Sequence, residues 1–116
     1  MLLNTESLLE SQYNIKYMSA RYERLDEKRL EEEIKKLNGW GVKQGRLSKS
    51  FKFANFVKAF GFMTQVAIEA EKMDHHPDWT NVYNQVEINL VTHDAKAITT
   101  NDLKLANIIE SVFKNT

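Results

Sequence analysis

The sequence predicts an α+β domain in which two β-hairpins form an antiparallel sheet and three helices gather on one of its faces. Two observations carry this. Strand-type alternation occurs twice, at Leu47, Phe51 and Phe53 and again at Val82, Val86, Ile88 and Leu90. Apolar residues at helical spacing occur three times, before, between and after those stretches. The order α-β-β-α-β-β-α lets every apolar stripe find a layer to pack on.

The elements follow in order. Residues 1–20 hold the pairs Leu2-Leu3 and Leu8-Leu9 among polar residues without a sustained period. They read as an N-terminal extension with disorder as its simplest state, and residues 21–116 as one domain. Glu6 and Glu10 precede the first Lys, against a signal or transit peptide. From about Tyr22 to Leu37, Leu25, Leu30, Ile34 and Leu37 recur at helical spacing, and Asn38-Gly39 supplies a stop. Trp40 to Gln44 and Leu47 to Phe53 flank Gly45 as a hairpin, with Ser48, Ser50 and Lys52 on the polar face. Asn55 caps a long helix to about Lys72, whose expected inward stripe is Phe56, Val57, Phe60, Met63, Ala67 and Ala70. The series Phe53, Phe56, Phe60 and Phe62 is expected in the core. From Asn81 to Thr92 a second hairpin is expected to turn at Asn84-Gln85. Thr99 and Asp102 have the spacing of a capping box, with Asp in place of Glu, ahead of Leu103, Ala106, Ile109, Val112 and Phe113.

Composition narrows the function. Hydrophobic residues make up 42% of the 116 and charged ones 28%, enough apolar side chain for a core. Sixteen basic and sixteen acidic residues give a formal charge of zero, which removes broad attraction to nucleic acid. No cysteine means no disulfide, thiolate metal site or cysteine nucleophile, and fits a reducing compartment. No apolar run approaches the roughly 20 residues that span a bilayer. The expectation is a soluble, cytoplasmic protein that contacts neither membrane nor nucleic acid directly.

All three histidines fall in the C-terminal half. His75 and His76 lie in Asp74-His75-His76-Pro77-Asp78-Trp79, where Pro77 disfavours helix at His76 and places the doublet in a helix-to-strand loop. His93 ends a strand. The two segments can meet on one rim of the sheet, putting several groups that titrate near neutrality in one pocket, a site for proton transfer. Three imidazoles can also bind zinc. Adjacent histidines point apart, however, and the i, i+4 or i, i+2 pairing that presents two ligands together is missing, so no metal is expected. Trp79 and Tyr83 suit either core packing or a wall for a flat ring. Asp102 is adequately explained as a cap and Glu71 as a solvated residue on the last turn of its helix.

The run Glu71-Lys72-Met73-Asp74-His75-His76-Pro77-Asp78-Trp79, then Asn81-Val82-Tyr83-Asn84, Thr92-His93-Asp94 and Asp102-Leu103, resembles pterin-4a-carbinolamine dehydratase. Asn38-Gly39-Trp40 and Phe60-Gly61-Phe62-Met63-Thr64 fit the same pattern, so the resemblance covers roughly Leu25 to Phe113. It implies a four-stranded antiparallel sheet with three helices on one face. It also implies dehydration of 4a-hydroxytetrahydropterin to quinonoid dihydropterin, the step that recycles tetrahydrobiopterin, without a metal or other cofactor. By that resemblance His75 and His93 are acid-base groups and His76 binds and orients the pterin. Glu71 and Asp74 tune or orient imidazoles, Pro77 and Trp79 shape the ring pocket, and Thr92 contacts substrate near the strand end. Asp102 matches the pattern as an orienting or capping residue. Thr80 and Asp94 depart from animal members, which often have an aromatic and Glu there.

Two rival functions remain. Animal members of that family also serve as dimerisation cofactors of a homeodomain transcription factor, binding a partner helix, which would add the nucleus to the expected location. A pterin-binding protein of another pathway, such as molybdopterin metabolism, would keep the pocket and change the substrate. The family also implies a homotetramer, or dimer of dimers, built by helix packing.

Overall fold

The computed structural model describes residues 22–116; the extension read over residues 1–20 lies outside them. Helix α1 spans Glu27–Ile34, strand β1 Gly41–Lys43, β2 Arg46–Lys52, helix α2 Phe56–Lys72, β3 Asp78–Val82, β4 Gln85–Leu90 and helix α3 Thr100–Lys114. The order is the α-β-β-α-β-β-α of an α+β fold. All pairings are antiparallel, in the spatial order β1-β2-β4-β3.

Helix α1 is shorter than the periodicity suggests. Asp26 caps it by accepting the Arg29 N–H at 2.8 Å, so the residues before it stay extended. There Arg24 bridges Thr99, and Glu23 and Thr100 exchange hydrogen bonds, tying the start of the domain to the start of α3. The first hairpin turns through Gln44-Gly45, both at positive φ, the combination a type I′ turn requires. The second turns at Tyr83-Asn84, one residue earlier than expected, with Tyr83 at φ 52°. Asn84 locks that turn to the end of β2: its side-chain amide donates to the Phe53 carbonyl and its own carbonyl accepts the Phe53 N–H, both at 2.8 Å.

Register decides what the sheet buries. Leu47 opposes Leu90, Lys49 opposes Ile88 and Phe51 opposes Val86. Trp79 and Asn81 extend this inner face across β3. Val82, expected on that face, lies on the other one opposite Gln85 and is exposed, because the strand begins at Asp78 and turns early. Ring centroids of Phe62 lie 5.1 Å from Phe51 and 4.8 Å from Phe53, and Phe113 of α3 joins them 4.9 Å from Phe51. Lys49 is tolerated on the inner face because its Nζ meets Glu110 Oε2 at 2.7 Å and the Asn38 carbonyl at 2.8 Å, above the Phe51 ring. Glu110 Oε2 also accepts from Trp40 Nε1 at 2.8 Å.

The buried stripe of α2 is Ala59, Phe62, Val66 and Ala70. The expected stripe is therefore corrected: Phe56, Val57, Phe60 and Ala67 face outward, Ala70 is shared, and Met63 is half-buried against the core. Helix α2 has two apolar faces, and the smaller residues on one of them let it lie close to the sheet. Within the phenylalanine series, Phe53 and Phe62 are core while Phe56 and Phe60 are not.

On the helix-free face, Ser48 donates to Asn89, whose amide donates to Glu87 Oε2, which also pairs with Lys43 Nζ. The Asn89 hydrogen bond and then the Lys43 charge hold the Glu87 carboxyl below the usual carboxylate range. Among the described residues no helix is long and apolar enough to cross a membrane.

Candidate active site

The three histidines are positioned at one end of the sheet, where β4 ends and β3 begins. Helix α2 stops in a C-terminal motif that aims the doublet. The Asp74 N–H donates to the Glu71 carbonyl and the His75 N–H to the Ala70 carbonyl, with Asp74 at φ 49° in the position glycine usually occupies. This turn directs His75 inward, where it is 8% exposed, and leaves His76 outside. Pro77 then starts the chain into β3 without offering a donor.

His75 Nε2 lies 2.5 Å from Asp102 Oδ1, and Asp102 is fully buried. The other oxygen, Oδ2, accepts the Thr92 hydroxyl at 2.9 Å and the Thr99 backbone N–H at 2.8 Å. The Thr92 and Thr99 hydroxyls are themselves 2.6 Å apart. The expected capping box of α3 is present, and its acid also holds the imidazole. Thr92 stays in place because it bridges Ala97 just past β4, and the turn Asp94-Ala95-Lys96 that follows carries His93 outward.

His76 Nε2 lies 2.8 Å from Glu71 Oε1, one turn back on α2. His93 Nε2 lies 3.9 Å from Asp78 Oδ2, and the same oxygen is 3.6 Å from an Arg46 guanidinium nitrogen. Each imidazole therefore turns Nε2 toward a carboxylate. For His75 and His76, which hydrogen-bond their carboxylates, this makes Nε2 the donor nitrogen and leaves Nδ1 turned away from the acid; His93 only approaches Asp78. One imidazole is buried and rigidly held while two are exposed, an arrangement able to deliver one proton and accept another at a ligand lying over the sheet end.

Of the residues singled out in the sequence, His75, Thr92 and Asp102 form one buried network, and His76 with Glu71 a second pair. Asp74 acts in the backbone turn; among the described residues its carboxylate has no hydrogen-bond partner. Trp79 lies on the inner sheet face opposite Ile88 and packs partly against the core, with Pro77 half-buried before it. Thr99 was read only as the cap of the last helix, and Asp78 and Arg46 were not singled out. Asp78 stands inside the histidine-bearing run, a carboxylate close enough in sequence to have been considered. Arg46 carries no sequence signal, since it arrives through strand register. Among the described residues no three of His, Cys, Asp or Glu converge as a metal-ligand set.

Comparison with known proteins adds a family. Residues 23–112 match the family described as pterin 4 alpha carbinolamine dehydratase. A protein of Prochlorococcus marinus (strain NATL2A), named as a candidate pterin-4-alpha-carbinolamine dehydratase, is 48% identical over 91 residues, covering 78% of this chain and 96% of its own. A protein of Rhizobium rhizogenes with the same name is 50% identical over 92 residues, covering 78% and 91%. The crystal structure of a transcriptional coactivator/pterin dehydratase from Brucella melitensis superposes with a TM-score of 0.75 at 43% identity, over 78% of this chain and 98% of that one.

Proposed function

Since the chain belongs to the pterin 4 alpha carbinolamine dehydratase family, a family of hydro-lyases, we propose that it dehydrates a 4a-hydroxytetrahydropterin to quinonoid dihydropterin by histidine acid-base catalysis. The observation that carries this reading is the buried His75-Asp102 pair, backed by Thr92 and Thr99. The reaction breaks the bond from C4a to its hydroxyl oxygen, which leaves as water after receiving a proton. A second proton leaves the adjacent ring nitrogen as the C=N bond forms. His75 and His93 are the acid-base groups, and His76, held by Glu71, orients the ring. Pro77 and Trp79 shape the ring pocket, Thr92 contacts the substrate near the strand end, and Asp74 sets the turn that presents the doublet. The physiological setting is recycling of tetrahydrobiopterin in the cytoplasm.

The test is the dehydration rate of freshly generated 4a-hydroxytetrahydrobiopterin in the presence of a chelator. Acceleration by wild type that drops about tenfold or more in His75→Ala or His93→Ala supports the reading. A folded wild type that gives no acceleration overturns it.

A second reading concerns partners. Phe56, Val57, Phe60 and Ile68 make an exposed apolar face on α2, which favours helix packing between copies of the chain into a tetramer. The Brucella protein's name, transcriptional coactivator, adds a partner helix from another protein as the alternative occupant.

A further inference from the structure

His93 has a carboxylate partner that no motif assigns, and that carboxylate has a partner of its own. Asp78 is the first residue of β3, fixed by Pro77 before it and by its pairing with Asn89 after it. Arg46 is the first residue of β2, fixed by the Gln44-Gly45 turn and by its pairing with Lys43. These strands are not neighbours, because β4 runs between them. The central strand stops at Leu90, so past that end the Arg46 guanidinium reaches across to Asp78 Oδ2 at 3.6 Å. His93 Nε2 approaches the same oxygen at 3.9 Å, an electrostatic contact rather than a direct hydrogen bond.

All three side chains are at least one-third exposed, and ion pairs of that kind contribute little to stability. Their consequence lies in orientation. His93 stands on a turn beyond the sheet, and Asp78 is the group that gives its ring a preferred direction. Arg46 keeps the Asp78 carboxylate turned along the sheet end.

We propose that Asp78 and Arg46 are positioning residues for His93, holding its Nε2 as the protonated nitrogen so that Nδ1 faces the pterin. Asp78 faces His93 Nε2 from 3.9 Å, whereas Asp102 and Glu71 hydrogen-bond His75 and His76 directly. The role in turnover rests on the dehydratase reading, whereas the ring orientation does not.

Nitrogen-15 NMR of the imidazole rings, with His93 identified by its loss in His93→Gln, reads the tautomer without substrate. The expected wild-type signal is the Nε2-protonated form, with Asp78→Asn moving His93 toward the Nδ1-protonated form and Arg46→Gln moving it part of the way. In turnover, Asp78→Asn is expected to lower kcat about tenfold while KM stays within about twofold, and Asp78→Glu to recover most of the loss. A His93 tautomer unchanged in Asp78→Asn overturns the proposal. So does a changed tautomer with undiminished kcat. A wild type inert toward the pterin overturns the dehydratase reading instead, and the tautomer then decides the pairing alone.

Discussion

Asp102 holds His75 and starts helix α3 with the same carboxylate, Oδ1 lying 2.5 Å from the imidazole Nε2 while Oδ2 accepts the Thr99 N–H and the Thr92 hydroxyl. Imidazole orientation and helix capping are therefore coupled. Asp102→Asn separates them. Its remaining carbonyl oxygen can keep the Thr99 N–H, which turns the amide NH2 toward His75 and forces the imidazole proton onto Nδ1. The expected outcome is a fall in kcat of about a hundredfold with a stability loss of about 1 kcal/mol. Asp102→Ala also loses the cap and strands buried hydroxyls, costing about 2–4 kcal/mol in urea denaturation.

The three histidines differ in burial, so their replacements should differ in stability more than in activity. His76→Ala and His93→Ala remove exposed rings, and midpoints of unfolding should correspond to changes within about 0.5 kcal/mol. His75→Ala leaves Asp102 buried without its imidazole and should cost about 1–3 kcal/mol. Each should lose about tenfold or more in turnover. Equal destabilisation by all three would contradict the burial pattern.

How far the sequence foretold the site follows the range of each interaction. Asp102 was legible because its cap acts three residues away, and Pro77 because it restricts its own neighbour. The Thr99–Thr92 contact and the reach of Arg46 to Asp78 were not legible, since both depend on which strand ends at which residue. Helix α2 shows a different limit. Periodicity detects an apolar stripe, but Phe56, Phe60 and Phe62 supply two, and only the close fit of Ala59, Val66 and Ala70 against the sheet selects the inner one.

The outer stripe of α2 yields its own prediction. Phe56 and Phe60 stack along the helix with centroids 5.9 Å apart, flanked by exposed Val57 and Ile68. Wild type is expected to run as an oligomer in light scattering, and Val57→Asp with Phe60→Asp as a folded monomer with unchanged far-ultraviolet circular dichroism. A monomeric wild type at tens of micromolar would rule out self-association through this face.

Glu87 titrates below the ordinary carboxylate range because Asn89 hydrogen-bonds to it and Lys43 lies beside it. A carboxyl whose folded pKa is depressed stabilises the fold at pH above its unfolded value, and loses that contribution as pH falls through the folded one. NMR titration should therefore place the Glu87 midpoint below that of a solvated glutamate. In Asn89→Ala the midpoint should rise, since the largest cause is gone. No movement would assign the shift to the Lys43 and Arg46 charges.

The inner-face ion pair should respond asymmetrically to loss of its two partners. Glu110 Oε2 accepts from both Lys49 Nζ and Trp40 Nε1, so Glu110→Ala strands an ammonium and an indole N–H at once. The Lys49 side chain is 13% exposed and keeps only the Asn38 carbonyl and the faces of the Phe51 and Phe113 rings, so the expected cost is about 2–4 kcal/mol. Lys49→Met removes a charge but keeps the stem's packing on Phe51, and Glu110 retains the Trp40 donor. Its expected cost is about 1 kcal/mol or less. Trp40→Phe combined with Glu110→Gln should be non-additive by about 0.5–3 kcal/mol in a double-mutant cycle, because the two share one oxygen. If Lys49→Met proves as damaging as Glu110→Ala, the ammonium, rather than the acid that joins three elements, is what holds α3 to the sheet.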